Sequence, residues 1–359
     1  MLSVGAAVEL LPQLWFADGR LGMASPTARD ALFHVVTDDW RLWMDATRNQ
    51  RTIAAPAATA GVGYWSGQDV RVEFHPAPVD AGIVFVRTDL SGRPRIPAVI
   101  GHRVEMPRRT VLRSGEASVE MIEHIMAALT GLQIDNCELR VDRPEMPGCD
   151  GSCLPFVESL RAAGIVEQEA VRRQHVISRT IRLGNKESWI EARPCCSGKT
   201  ILQYDLDYGS GNPIGRQSLE ISLSPRHFHM NLAPSRTFML ESEAAALRAQ
   251  GLGPRATCKD LLIFGSRGPI DNQLRFPDEC VRHKLADMVG DLALAGCDLI
   301  GRFVAFRSGH RLNAELVRAI VAQGQIHEEL CTTRSELQTS SPFGKNVALS
   351  GVQRIKRCA

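Results

Sequence analysis

Residues 279–296 read ECVRHKLADMVGDLALAG. The run is long enough for a helix of several turns, and it carries His283, Asp287 and Asp291 at intervals of four. Positions four apart lie nearly above one another when a turn takes about 3.6 residues. Leu285, Met288 and Val289 turn elsewhere. What brackets this helix decides the fold. Before it come short β-type runs, HVISRTIRL (175–183), SWIEARP (188–194) and TILQYDLDY (200–208), and a helix, ESEAAALRAQ (241–250). After it come a strand, GRFVAFRSG (301–309), and a last helix, AELVRAIVAQ (314–323).

The first part of the chain has the same order. VRVEFHPAP (70–78) and GIVFVRTDL (82–90) read as strands, Val119 to Thr130 as a helix, CELRVDRP (137–144) as a strand and Pro155 to Ala163 as a helix. Two units of strands, helix, strand and helix, without obvious identity between them, give an α+β fold rather than alternating βαβ. No G-x-G-x-x-G follows a strand and no P-loop is present, which removes the usual nucleotide-binding sheets.

The units divide as 49–166 and 175–326, with the charged stretch EQEAVRRQ (167–174) as linker. Residues 1–48 form an N-terminal extension. In it Ser25-Pro26 precedes Leu32, Phe33, Val36, Trp40, Trp43 and Met44 at helical spacing. Residues 327–359 are a polar tail, expected to be loosely ordered.

Composition narrows the partners. The 359 residues carry a formal net charge of +2, which gives no reason to expect nucleic acid, although a local basic patch suits a phosphorylated small molecule. No run approaches the roughly 20 apolar residues of a membrane helix. The N-terminus lacks a basic region and holds Glu9 inside its apolar stretch, so a cytoplasmic chain is expected. Ten cysteines without paired C-x-x-C spacing fit a reducing compartment better than a disulfide framework.

His283 and Asp287 can point an imidazole nitrogen and a carboxylate oxygen at one metal ion. Asp291 lies about 12 Å along the axis from His283, too far to share that ion but suited to orienting another group. A catalytic ion needs a third ligand and an open position. Glu123-His124 offers both a donor and, about 100° around the helix, a carboxylate able to reach water. Ser308-Gly309-His310, at the end of an apolar strand, sets a titratable imidazole in a turn. His75, His102, His227, His229 and His327 have no comparable context and read as structural or surface residues.

Taken in order, several stretches carry a resemblance. They are QRT (50–52), TAGVGYWSG (59–67), FVRTDL (85–90), IEHIMAALTGLQIDN (122–136), PEMPGCDGSCLPFV (144–157), SRTF (235–238), 274–296 and FRSGHRLNAELVRA (306–319). The chain resembles the UDP-3-O-acyl-N-acetylglucosamine deacetylase family of lipid A biosynthesis from about Gln50 to about Ala322.

The resemblance implies two similar domains, each a sheet with helices, packed so that the helices lie between the sheets and the metal sits at their junction. It implies His124, His283 and Asp287 as ligands of Zn2+, with Fe2+ as the alternative since this donor set suits both. Glu123 would be the general base, and His310 the positively charged partner that stabilises the oxyanion and protonates the leaving amine. Asp291 would steady His310, and Thr237 would donate to the oxyanion. Lys284, Phe238 and Arg307 would contact a UDP-linked acylated glucosamine.

A β-α-β segment that lines the acyl passage is expected near residues 178–209, and a monomer is expected. Other readings are a zinc amidase for a different N-acetylated sugar and a catalytically silent binding protein. The chain departs from the family pattern at Tyr64-Trp65, where Leu-His is usual, at Leu206, where a phenylalanine stacks on uracil, and at Arg307, where lysine is usual. The connection 253–273 also differs. Met44 would make a natural start, which leaves residues 1–43 as an expected over-extension of the reading frame.

Overall fold

The computed structural model describes residues 48–339, with side chains from 48 to 324, and a short hairpin of Trp15–Ala17 and Arg20–Gly22. The helix expected within residues 26–44 lies outside the described residues.

Alternation sets the first sheet. In Asp69–Pro76 the residues Val70, Val72 and Phe74 face inward while Arg71 and Glu73 face out. The strand order is Ala57–Val62, Asp69–Pro76, Cys137–Val141, Ile83–Arg87, Arg95–Pro97. Cys137–Val141 enters the middle, antiparallel to Asp69–Pro76 and parallel to Ile83–Arg87. The second sheet repeats this order as Ile181–Gly184, Trp189–Arg193, Asp298–Phe306, Thr200–Asp207, Arg216–Ser222. Its last strand again enters the middle, antiparallel to one neighbour and parallel to the other. A parallel neighbour requires a crossover, and a helix supplies it in both halves. These are α1 (Glu123–Gly131) and, in the second unit, the long helix Glu279–Leu292.

Each unit then closes with a helix on its sheet. We label Leu154–Ala162 α2, Glu241–Ala249 α3, Glu279–Leu292 α4 and His310–Thr339 α5. Helix α2 packs on Ala57–Val62, α4 on Thr200–Asp207 and Arg216–Ser222, and α5 on Ile181–Gly184 and Trp189–Arg193. Helices α1 and α4 pack on one another across the halves. Helices α1, α2, α4 and α5 are therefore sandwiched between the sheets, and one apolar core runs through both units, from Phe74 and Leu129 to Met288 and Phe303.

The α1–α4 crossing depends on one small residue. A Cβ at Gly290 would lie 2.0 Å from the Glu123 carbonyl oxygen, so only glycine lets the start of α1 touch the last turn of α4. At the far end of the helices Arg48 binds Asp135 of the first unit at 2.6 Å and Asp298 of the second at 2.8 Å.

Four expectations change. Val119 lies in a strand, Ala117–Glu120, paired with Val111–Ser114, and α1 starts only after Met121 turns the chain at φ 61°. The stretch 167–174 is not free chain, because Ile165–Val171 pairs antiparallel with Asn49–Ile53 through an irregular register. Its charged residues lie on the outer strand of a two-stranded ribbon, none of whose residues from Ile165 to Val171 is buried, so no apolar period marks it. The β-α-β segment is Phe238–Leu240, α3 and Leu262–Gly265, with the two strands parallel, not the region near 178–209, which builds the main sheet. Finally α5 continues to Thr339, so the stretch expected as a loose tail from 327 begins inside a helix.

Candidate active site and metal centre

The Gly290 crossing brings the first turn of α1 against α4, and three donors meet there. His124 Nε2 lies 3.6 Å and His283 Nε2 3.4 Å from Asp287 Oδ1. One donor atom of each residue lies within 4.8 Å of the other two. Ligand atoms about 2.0–2.1 Å from a tetrahedral ion stand roughly 3.3 Å apart, so two of the three edges already have that length. The two imidazoles meet edge to face at 5.0 Å. His283 Nδ1 donates to the Ser235 carbonyl at 3.2 Å, which leaves the Nε2 lone pair free for a metal. Burial pushes the His283 imidazole down to about 3, so it is neutral. Two imidazoles and a carboxylate fit a borderline divalent ion.

Asp287 is charged. Burial works to raise its pKa, but His283 and Lys284 outweigh this and hold the carboxyl well below its usual range. Lys284 Nζ donates to Asp287 Oδ2 at 2.7 Å. Burial opposes the ammonium as well, yet Asp287 keeps its pKa above the ordinary lysine value. Thr237 Oγ1 sits 3.5 Å from His124 Nε2 and 3.3 Å from His283 Nε2, and donates to the Gly151 carbonyl at 3.1 Å. The loop bearing it is tied to the start of α4 by Arg236, whose guanidinium binds the fully buried Glu279 at 2.8 Å.

Opposite these donors stands a second pair. Glu123 is buried, its Oε2 accepts from the Thr110 amide at 3.0 Å, and its Oε1 faces His310 Nε2 at 4.0 Å. Burial raises the Glu123 pKa, with His310 and His124 pulling the other way. His310 Nδ1 donates to Asp291 Oδ2 at 2.8 Å. The same carboxylate accepts from Asn313 Nδ2 at 2.8 Å and from Thr110 Oγ1 at 2.6 Å. His310 opens α5, where the helix dipole disfavours a cation, and burial disfavours it too. Asp291 and Glu123 overcome both, and the imidazole is pushed up to about 9. It is positively charged at neutral pH.

Both groups line one cavity of about 700 Å3. Glu123, His124, Thr237, His283, Lys284, Asp287 and His310 form its chemical end. Met239, Ala244, Leu247, Leu252, Leu261 and Ile263, largely from α3 and its two flanking strands, give it an apolar arm. Phe238 lies between the two, 6.2 Å from the His283 ring, with Lys284 Nζ 6.0 Å from its ring centre.

Two of the positions singled out in the sequence lie outside the cavity lining. Arg307 is exposed and outside the cavity lining, with φ 49° in the turn that leads to His310. Leu206 points into the core beside Leu202 and Tyr204, and Tyr208, two residues on, is the one that reaches the cavity. Tyr64 and Trp65 line the cavity, and the Tyr64 hydroxyl donates to the Asp260 carbonyl, which ties the first unit to the chain after α3. Thr110, Asn313, Ser235 and the Arg236–Glu279 pair carry no local sequence signal, since each acts through a contact distant in the chain.

Residues 50–322 match the family model described as UDP-3-O-acyl N-acetylglycosamine deacetylase. Curated proteins named UDP-3-O-acyl-N-acetylglucosamine deacetylase are similar over most of their length. The chain is 34% identical to that of Syntrophus aciditrophicus over 298 residues, which is 83% of this chain and 92% of the relative. It is 38% identical to that of Solibacter usitatus over 282 residues, 78% and 94% of the two chains. It is also 38% identical to that of Thermosynechococcus vestitus over 274 residues, 76% and 94%.

Proposed function

The chain belongs to the family of UDP-3-O-acyl-N-acetylglucosamine deacetylases, and from that membership we propose that it hydrolyses the acetamide of its UDP-linked sugar with the help of a zinc ion held by His124, His283 and Asp287. The products are acetate and the free amine. The observation that carries this reading is the meeting, in one cavity, of a His2Asp donor set and a carboxylate–imidazolium pair 4.0 Å apart.

When bound, a divalent ion at such a site lowers the pKa of water from 15.7 to about 7 and polarises a carbonyl oxygen. The remaining work belongs to the chain. Glu123, with Oε2 pinned by Thr110 and Oε1 free, takes the proton of the attacking water. Its raised pKa makes it a stronger base than an exposed glutamate. His310, held protonated by Asp291, faces the same space, stabilises the tetrahedral oxyanion and gives its proton to the departing nitrogen. The Thr237 hydroxyl lies beside the donor set, within reach of the same oxyanion. The Lys284 ammonium on the cavity wall suits a polar group of the sugar nucleotide, and the apolar arm beside α3 suits the 3-O-acyl chain. Phe238 stands where sugar and acyl chain would part.

Acetate release from a UDP-3-O-acyl-N-acetylglucosamine tests the reading, with purified protein, with and without chelator, and with Glu123→Ala as control. Turnover that needs metal and Glu123 is expected. Turnover indifferent to both, or none at all from metal-loaded protein, would overturn it.

A further inference from the structure

Thr110 lies in the first unit, just before the strand Val111–Ser114, and is 1% exposed. It lies outside the cavity lining, yet it binds Glu123 and also Asp291, the carboxylate that orients His310. Its amide donates to Glu123 Oε2 at 3.0 Å and its hydroxyl to Asp291 Oδ1 at 2.6 Å. The first bond fixes which carboxylate oxygen of Glu123 faces His310. The second fixes the rotation of the fully buried Asp291 carboxylate, so that Oδ2 receives His310 Nδ1 and Asn313 Nδ2. Asn313 is itself set by Ser308 Oγ, which donates to its Oδ1 at 2.8 Å.

The two bonds differ in kind. Any residue but proline at position 110 offers the amide, but the second bond requires a hydroxyl. Glu123 belongs to α1 and Asp291 to α4, so this hydroxyl also crosses from one unit to the other. We infer that Thr110 is a positioning residue that holds the base and the acid in register across the junction of the two units. The inference rests on the reading of Glu123 as base and His310 as acid. Without the hydroxyl, Asp291 Oδ1 is left buried and unpartnered, its carboxylate turns, and His310 loses its fixed orientation towards the reacting nitrogen.

The experiment compares Thr110→Val, which keeps the shape and the amide but lacks the hydroxyl, with Thr110→Ser, which restores it. In acetate-release assays on the metal-loaded enzyme, Thr110→Val should lower kcat roughly ten- to hundredfold, the scale of one hydrogen bond to a charged group, with KM and bound metal unchanged. Thr110→Ser should recover kcat to within about threefold. In proton NMR the downfield Nδ1–H resonance of His310 should shift or broaden in Thr110→Val and return in Thr110→Ser, independently of turnover.

If valine at this position prevents folding, Thr110→Ala gives the same comparison without added bulk. Wild-type kcat in the hydroxyl-free variant, equal loss in Thr110→Ser, or an unmoved resonance would each overturn the inference. Glu123→Ala and His310→Ala run beside them keep the two levels apart. If those stay active, the acid–base reading fails, whereas if they are inactive and Thr110→Val is normal, only the role of Thr110 fails.

Discussion

In the proposed reaction Glu123 and His310 have opposite proton duties, and their surroundings push both pKa values upward for different reasons. On that proposal, activity requires Glu123 deprotonated and His310 protonated. The rate should therefore rise as pH passes the Glu123 pKa, above the usual carboxylate range, and fall as pH passes about 9, where His310 loses its proton. A kcat/KM profile checks this, and His310→Gln should abolish the alkaline fall. Glu123→Ala should cost about a hundredfold to ten-thousandfold in kcat with little change in KM, because a proton acceptor acts in the transition state and not in binding. Steady-state kinetics separates the two constants. The residues read from spacing alone, His283 and Asp287, are those whose partnership is local to one helix turn. Thr110 and Asn313 escaped because their partners lie 181 and 22 residues away along the chain.

The α1–α4 crossing depends on a missing side chain. Gly290→Ala gains up to about 1 kcal/mol of helix propensity, but its Cβ would fall 2.0 Å from the Glu123 backbone and drive the helices apart. Overpacking of this kind typically costs about 1–3 kcal/mol, so the clash outweighs the propensity. Urea unfolding should show net destabilisation, with kcat falling as His124 moves away from Asp287. Helix α3 supports a different prediction. Ala244 faces the apolar arm, and Ala244→Leu should lower kcat/KM for long acyl chains more than for short ones, a ratio that competition between two substrates measures. Element types were largely legible in sequence, but boundaries were not. Met121 adopts a left-handed turn that its side chain does not announce, and the β-α-β segment appears only once its strands pair across α3.

The whole molecule is two units of one strand order, and the donor set is divided unequally between them, His124 from the first and His283 with Asp287 from the second. An ion bound there bridges the units as well as serving the chemistry. Chelation should lower the melting temperature along with activity, by an amount set by RT ln(1 + [L]/Kd), about 4 kcal/mol when free metal exceeds Kd a thousandfold. Calorimetry with added zinc should restore both. The repeated order was visible in the sequence as two runs of strands, helix, strand and helix. That the halves would meet through a glycine was not, since closeness of two backbones leaves no mark on either. The division of labour has a further consequence for the growing chain. Synthesis delivers His124 first, then His283 and Asp287, and His310 last, so a nascent chain that has already folded its first unit is chemically inert. On the proposed mechanism, hydrolytic power arrives in one step, late, when the start of α5 docks its imidazole on Asp291.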